Sequence, residues 1–228
     1  ALARRYVEDP GFRRQALEGS LVNPENGYSA LRLAKYREER WGALPRWQPD
    51  LVADAEWTVA ALEEAGRQAF FDYPIQVAPA LKLALDDDVD PEAYGAQAVA
   101  WADTPDGPQT AFTCATCHAR SDASGAMTPG PTNDRLDYGA MLDDFYVRDT
   151  ERGRWGAGRV DVTPDDADNP TAITDLRPVR HQTHLHRTAS VRNGLVELAV
   201  RTETLIITSL GEGARPPRRI AVALALFL

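Results

Sequence analysis

Residues 112–120 read FTCATCHAR and contain the only two cysteines of this 228-residue chain. Cys114 and Cys117 stand three positions apart, and His118 follows the second cysteine directly. Three kinds of chemistry use such a pattern: a thiol–disulfide switch, half of a zinc site, and covalent attachment of a haem. The rest of the sequence has to distinguish among these three.

The composition of the chain argues against several kinds of partner. It is 43% hydrophobic and 26% charged, as is ordinary for a globular protein, and its formal net charge is -9. This acidic balance argues against nucleic acid and anionic membrane surfaces as partners, and it would favour a basic partner. No apolar run approaches the roughly 20 residues of a membrane-spanning helix, so we expect no transmembrane segment. The apolar residues 220–228 instead predict a packed terminal helix.

The start of the sequence gives an expectation about processing. The chain begins at Ala1, without a methionine and without a signal-like apolar segment, which predicts a mature or trimmed product. Two cysteines are too few for a disulfide scaffold. The cellular compartment therefore has to follow from the chemistry of the site.

Helical periodicity recurs towards both ends of the chain. Apolar residues at helical spacing predict helices within residues 10–21, 28–44, 54–74, 191–209 and 216–228. The segment LPRWQPD contains two prolines and breaks this pattern after the second helix. We therefore expect a mainly α protein, with an N-terminal helical extension over residues 1–50 and a core domain over residues 51–228.

Two parts of this core domain lack helical periodicity. Residues 75–112 contain two runs of small or alternating apolar residues with the turn signals DDDVDP and TPDGPQT, which predict a small β-hairpin-like insertion. Residues 121–178 are rich in Gly, Pro, Asp and Thr and predict a long loop with one short helix within 138–148. Trp155 is a large aromatic residue within this loop and indicates that the loop is packed against another part of the molecule. A loop wrapped round a bulky non-protein group would explain both the loop-like composition and the aromatic residue.

The pattern C-x-x-C-H favours haem attachment among the three chemistries. Two thiols add across the two vinyl groups of a porphyrin, and the three-residue offset on a helical turn sets them at the vinyl spacing. His118 then projects under the macrocycle and offers an imidazole nitrogen to the iron. We therefore expect one covalent haem c, held by Cys114, Cys117 and His118.

Two alternatives stay open on the sequence alone. A thiol–disulfide switch usually follows a strand inside a βαβ unit, whereas loop-like sequence follows Cys117. A zinc site would combine the two cysteines with His184 and His186, although the H-x-H spacing differs from that of common zinc modules. A zinc-stabilised binding module is therefore the weaker alternative to a haem protein.

Both ends of the core domain resemble a cytochrome c domain. Residues 63–74, EEAGRQAFFDYP, are similar to the first helix of that family, and residues 218–228, RRIAVALALFL, are similar to its last helix. The resemblance implies that Gly66 and Phe70 meet the last helix, with Phe227 as the aromatic contact. It also implies a helical fold built around one haem.

Two further segments resemble the bacterial di-haem cytochrome c peroxidase superfamily. They are WGAGRVDV at residues 155–162 and TASVRNG at residues 188–194, similar to a G-P-G-R loop and a T-P-S-L-R-N turn that flank the haem in that family. Peroxidases of the family need a second haem to store an electron, but this chain has one C-x-x-C-H. Residues 194–209 also contain no strong iron ligand. An electron carrier is therefore expected in preference to a peroxidase.

The second axial ligand of the iron has several candidates. They are His181, His184, His186, Met127 and Met141, with an open position as a further option. Three of the four histidines of the chain fall within residues 181–186. We prefer His186, followed by His184, because the resemblance of the TASVRN turn implies a position near the haem. A bis-histidine haem is therefore expected, with a lower reduction potential than a His/Met haem.

The haem propionates would need cationic or N–H partners. Arg159 and Arg192 are candidates because the planar guanidinium group suits carboxylates. Trp155 is a third candidate, because its indole N–H can donate a hydrogen bond while its ring packs.

Together these features predict an exported mono-haem c-type cytochrome that passes single electrons between redox partner proteins, such as those of a larger electron-transfer complex. Bacterial haem attachment takes place outside the cytoplasmic membrane, so a periplasmic or other extracytoplasmic location follows from the haem. The alternative is a peroxidase-like haem enzyme or the cytochrome subunit of a larger oxidoreductase.

Overall fold

The computed structural model describes residues 2–18, 58–104, 107–145, 155–161, 168–185, 189, 191–209 and 216–228. These residues form eight α-helices, two 3-10 helices and nine short strands, so the described part of the fold is mainly α. They divide into two compact units, the first of residues 1–69 and 178–228 and the second of residues 70–177. The predicted domain boundary at residue 50 and the predicted helix at 28–44 lie outside the described residues.

The first unit is a helical cluster formed by both ends of the chain. Its elements are α1 (Leu2–Glu8), α2 (Pro10–Glu18), most of α3 (Val59–Asp72), β8 (His184–Leu185), β9 (Val191–Arg192), α7 (Leu195–Ser209) and α8 (Arg218–Phe227). Helices α7 and α8 pack on each other, and α2 packs on both. Helix α8 follows Pro217, which helix starts accept, and buries six consecutive apolar residues from Ile220 to Ala225. The helices predicted from periodicity at 54–74, 191–209 and 216–228 are thus confirmed over α3, α7 and α8.

A buried ion pair joins three helices of the first unit. Nε of Arg218 donates to Oε2 of Glu203 at 2.7 Å, and its Nη1 donates to the carbonyl oxygen of Ala16 at 3.3 Å. The two charged side chains are 6% and 1% exposed, so water screens the pair little. Helices α2, α7 and α8 therefore depend on one another through a charged contact as well as through apolar packing.

Gly66 brings α3 against the last helix. A Cβ atom built at Gly66 would lie 2.6 Å from the carbonyl oxygen of Ala223 and 2.6 Å from Cβ of Phe227. Real Cβ atoms do not approach other heavy atoms this closely, so only glycine fits this crossing. The contact is the one expected of Gly66 and Phe227. Phe70, four residues further along α3, is fully buried.

Replacing Gly66 with alanine is expected to destabilise the protein. Alanine gains about 1 kcal/mol in helix propensity, but the added methyl group overlaps two rigid neighbours, and overpacking of this kind costs about 1–3 kcal/mol. Urea denaturation followed by circular dichroism should show a lower midpoint with an unchanged slope.

The matched control for this variant is Gly11→Ala in α2. A Cβ atom there meets Oδ1 of Asp9 at 3.2 Å and no backbone atom within 4 Å, and Gly11 is exposed. Its midpoint should fall less than that of Gly66→Ala, because the added methyl group meets one side-chain oxygen instead of rigid backbone. Equal midpoints for Gly66→Ala and wild type would contradict the tight crossing.

The second unit surrounds residues 112–120 with short strands and two helices. Its elements are β1 (Gln76–Val77), α4 (Pro79–Asp86), a 3-10 helix (Pro91–Tyr94), β2 (Val99–Thr104), β3 (Gly107–Phe112), α5 (Cys114–His118), β4 (Ala119–Ser121), β5 (Met127–Pro129), α6 (Tyr138–Phe145), β6 (Arg159–Val160) and β7 (Thr171–Ala172). Strands β1, β3 and β2 form an antiparallel sheet in that order, and β4–β5 and β6–β7 form two small ladders. Phe112, Leu136 and Met141 are fully buried at the centre of this unit, and Cys117 and Trp155 pack against the same cluster.

The insertion over residues 75–112 is only partly the predicted hairpin. Strands β2 and β3 do pair as a hairpin, from Val99 opposite Phe112 to Thr104 opposite Gly107. The expectation of extended structure was wrong over α4, which is a helix. Pro79 occupies its first turn, where proline is tolerated, and the segment PALKLALD consists mostly of strong helix formers.

The long region over residues 121–178 contains the predicted helix and more regular pairing than expected. Helix α6 lies within the predicted range 138–148. Strands β4 and β5 pair from Ala119 opposite Pro129 to Ser121 opposite Met127, so the residues that follow His118 form a short hairpin instead of a plain loop. No helix among the described residues is long and apolar enough to cross a membrane.

Candidate functional site

The five residues Cys114 to His118 form the single-turn helix α5, and two threonines fix its start. Thr113 is the N-cap, its backbone N–H donates to Oγ1 of Thr116 at 2.9 Å, and the backbone N–H of Thr116 donates to Oγ1 of Thr113 at 3.3 Å. Both hydroxyls also donate to the carbonyl oxygen of Ala98, at 2.8 and 3.0 Å. This reciprocal cap is a known helix-start signal, and here it also attaches α5 to the residue just before β2.

Asn133 holds the other end of α5. Its backbone N–H donates to the carbonyl oxygen of Cys117 at 2.8 Å. Its side-chain Nδ2 donates at 2.8 Å to the carbonyl oxygens of both Thr116 and Gly95. Asn133 is 3% exposed, so these bonds replace water for carbonyls that a short helix leaves without intrahelical partners. The backbone of the pattern C-x-x-C-H is therefore held at both ends by buried hydrogen bonds.

Changing Asn133 to aspartate tests this hold with almost no change of shape. The carboxylate cannot donate, so the carbonyls of Thr116 and Gly95 lose the Nδ2 donor and face a negative charge. Leaving buried polar groups unsatisfied costs about 1–3 kcal/mol each, and we expect a loss of stability in this range or above it. Gln182→Glu, which adds the same charge at an exposed position, should leave the urea midpoint within error. Equal midpoints for the two variants would contradict the role of Asn133.

His118 is oriented by a backbone carbonyl from a distant part of the unit. Its Nδ1 lies 2.9 Å from the carbonyl oxygen of Thr174, which can only accept, so Nδ1 carries the proton and Nε2 keeps its lone pair. Burial lowers the pKa of the imidazole, although the Thr174 carbonyl and the Asp175 carboxylate oppose this change. A neutral imidazole with Nδ1–H bonded to a carbonyl is the usual state of a metal-binding histidine.

The two cysteines are unpaired thiols in a poorly solvated environment. Burial raises the pKa of both Cys114 and Cys117 to about 12, and the proximity of Cys117 adds to the effect on Cys114. Redox-active C-x-x-C cysteines have lowered pKa values instead, because the thiolate is the reactive species. The environment therefore disfavours an activated thiolate.

Trp155 lies in the same unit as α5 and has a buried polar atom that needs a partner. Its Nε1 is buried and has no hydrogen-bond partner among the described residues. The ring packs against the same buried cluster as Cys117. Buried indole N–H groups usually have a partner, so this one points to an acceptor supplied by something other than the described protein atoms.

The other predicted site residues fall in different places. Arg159 is exposed on β6 in the second unit, whereas Arg192 is exposed on β9 and His184 is exposed on β8 in the first unit. His181 is also exposed, in the 3-10 helix Arg177–His181. The preferred sixth ligand, His186, lies outside the described residues.

The two methionines, which are the remaining candidates for the sixth ligand, differ in their surroundings. Met141 is fully buried in the apolar cluster of the second unit, which favours a packing role. Met127 is half-buried on β5 and lines a cavity of about 190 Å³ that also borders Asn133.

No group of three or more His, Cys, Asp or Glu side chains that could hold a metal ion occurs within the described part of the chain. A zinc site would need His184 and His186 beside the two cysteines, and His186 falls outside that part. The zinc alternative therefore gains no support from the described geometry.

A cavity of about 740 Å³ lies in the first unit, and its lining includes Arg180, Asn193, Leu195 and Phe227. No residue of 112–120 lines it. The chemistry-bearing side chains and this cavity are therefore separate features, and we locate the candidate site by side-chain chemistry.

Comparison with known proteins gives no match. No family model matches the chain, and neither a curated protein nor a solved structure is detectably similar to it.

Proposed function

We propose that this protein is a mono-haem c-type cytochrome that transfers single electrons between redox partner proteins. The observation that carries the proposal is the geometry of α5. Cys114, Cys117 and His118 share one capped helical turn, and the Nδ1–H of His118 is bonded to Thr174 so that Nε2 is left for a metal.

The residues present fit a covalently bound haem. Cys114, Cys117 and His118 are each half-buried, so each has an accessible part that a bound group can cover. Each thiol would add across one vinyl double bond, with its sulfur bound to one carbon and its proton transferred to the other, so attachment consumes no oxidant. The resulting thioethers do not ionise, and an environment that suppresses thiolates suits them.

The surroundings of α5 support the same assignment. The buried Nε1 of Trp155, which has no partner among the described residues, fits a donor to a haem propionate. Arg159 is exposed in the same unit and remains a candidate for the second propionate contact. The crossing of α3 and α8 at Gly66 agrees with the resemblance of these two helices to those of a cytochrome c domain.

The chain's own residues would keep the site fixed during electron transfer. Bound haem would supply a one-electron ferric/ferrous couple, with a reduced redox protein as the electron donor and an oxidised one as the electron acceptor. The hydrogen bonds of Thr113, Thr116 and Asn133 hold the backbone beside the ligands in place, and a site that changes little needs little reorganisation. Since the thiols must be reduced and exported before attachment, we propose an extracytoplasmic location in a bacterium.

The test is the spectrum of the protein produced in a bacterial periplasm with an active haem-attachment system. We expect a red protein whose alkaline pyridine haemochrome spectrum shows one covalent haem per chain. Colourless protein under conditions that mature a known c-type cytochrome would overturn the proposal. Zinc bound stoichiometrically to such protein would favour the binding-module alternative.

We further propose bis-histidine ligation, with His186 as the sixth ligand and His184 as the second choice. His184 is exposed, and its Nδ1 lies 3.2 Å from Oγ1 of Thr183. Alanine variants of His181, His184 and His186 separate the candidates. Only the variant that removes the true ligand should convert the haem from low spin to high spin. A methionine–iron band near ~695 nm in the oxidised protein would contradict bis-histidine ligation.

The catalytic alternative is a peroxidase-like enzyme, which needs an open iron position and a second electron source. Titration with hydrogen peroxide separates the two functions. An electron carrier with both axial ligands fixed should show an unchanged Soret band, whereas a stoichiometric shift would favour the peroxidase.

A further inference from the structure

The carbonyl that orients His118 belongs to a short segment fastened on both sides, which we call the strap and define as residues 173–177. Before Thr174, the carbonyl oxygen of Ile173 accepts from Oγ1 of Thr132 at 3.0 Å. After it, the backbone N–H of Leu176 donates to the carbonyl oxygen of Gly130 at 2.8 Å. The strap therefore holds the Thr174 carbonyl against Nδ1 of His118 by bonds to a separate loop.

The strap also carries a fixed ion pair directly after that carbonyl. Nε of Arg177 lies 3.0 and 2.9 Å from the two carboxylate oxygens of Asp175, and the backbone N–H of Arg177 donates to Oδ1 of Asp175 at 2.8 Å. The side chain of Arg177 also packs over Gly130, whose added Cβ atom would lie 2.7 Å from Cγ of Arg177. The Asp175 carboxylate is thus pinned beside the contact that orients His118.

The two charges of this pair differ in how strongly they act on His118. The Asp175 side chain is 33% exposed, whereas that of Arg177 is 63% exposed, so water screens the guanidinium more than the carboxylate. Hydrogen bonds from Arg177 lower the pKa of Asp175 to about 2, so the carboxylate is ionised at neutral pH. Asp175 directly follows Thr174, whose carbonyl oxygen lies 2.9 Å from Nδ1 of His118, so this charge is held one residue away from the contact with the imidazole.

We propose, on the basis of the proposed function, that the Asp175–Arg177 pair sets the reduction potential of the iron bound by His118. The carboxylate of Asp175 is the dominant charge of the pair. Ferric iron carries one more positive charge than ferrous iron. A nearby carboxylate therefore stabilises the ferric state and lowers the potential, and the guanidinium of Arg177 partly offsets this effect. The two partners of one ion pair are thus expected to move the potential in opposite directions.

The experiment is a spectroelectrochemical titration of the haem-loaded protein with the variants Asp175→Asn and Arg177→Gln. Asp175→Asn keeps the acceptor for the Arg177 N–H and should raise the potential. At a fixed applied potential the ferrous-to-ferric ratio should rise roughly threefold or more. Arg177→Gln should lower this ratio, and both changes should shrink at high ionic strength.

The control variant is Asp86→Asn, which removes one charge from the exposed Lys82–Asp86 pair on α4. It makes the same change of net charge as Asp175→Asn, away from the strap. Its potential should stay close to that of wild type, so a shift equal to that of Asp175→Asn would overturn the specific role of the strap.

The possible outcomes separate this inference from the proposed function. Haem-loaded Asp175→Asn and Arg177→Gln with wild-type potentials would overturn the inference alone. Wild-type protein that acquires no haem would overturn the proposed function and the inference with it. If Asp175→Asn fails to load haem, Arg177→Gln decides: a lower potential supports the inference, and an unchanged one overturns it.

Discussion

The proposed haem attachment predicts that the variant Cys114→Ala/Cys117→Ala carries no covalently bound haem. A haem that survives denaturing electrophoresis is held by carbon–sulfur bonds, and these are the only cysteines of the chain. Haem staining of a denaturing gel should show a band at the mass of the chain for the wild type and no band for the double variant. The effect is all-or-none because no other side chain can replace the thioethers.

Three single variants test whether the loss of stain comes from the missing thiols. Cys114→Ala and Cys117→Ala each keep one thiol, so each should retain some stain with an altered pyridine haemochrome spectrum from the one unreacted vinyl group. His184→Ala, at a proposed second-choice iron ligand, leaves both thiols intact and should keep its stained band. A stained band for the double variant would show that haem is attached to the chain at residues other than these two cysteines.

The candidate site on α5 could be predicted from the sequence because its three residues are near neighbours. Cys114, Cys117 and His118 lie within five positions, so a single helical turn brings them together. The T-x-x-T cap formed by Thr113 and Thr116 is equally local, and the same reading could have found it. The long apolar helices α7 and α8 follow from periodicity for the same reason.

The partners of this helix could not be found in the same way. Thr174 reaches His118 from 56 positions away, and it does so through a backbone carbonyl, which every residue type possesses. Asn133 bonds to the backbone of α5 only because residues 130–133 fold back against that helix. Nothing local in the sequence indicates that these residues fold back. The error over α4 has another origin, since a short run of small apolar residues suits a strand as well as a helix until packing decides.

Replacing Glu203 with alanine is expected to cause a large loss of stability. Glu203 lies among the buried residues of α7 at helical spacing from Ala199, Val200, Ile206 and Ile207. Its removal takes from the Arg218 guanidinium, which is 6% exposed, the carboxylate that it contacts at 2.7 Å. Breaking a buried pair on one side costs about 3–5 kcal/mol, so urea unfolding should shift to a much lower midpoint or the protein should fail to fold.

Two further variants show whether the loss comes from the buried charge. Glu64→Ala breaks an ion pair with Arg67 at the same 2.7 Å distance, but those side chains are 50% and 51% exposed, so it should cost about 0–1 kcal/mol. The double variant Glu203→Leu/Arg218→Met removes both buried charges together and should recover much of the stability lost in Glu203→Ala, because no unpaired charge remains. If the double variant is as unstable as Glu203→Ala, the cost lies in lost packing between α7 and α8. A loss in Glu203→Ala no larger than that in Glu64→Ala would show that water reaches the pair.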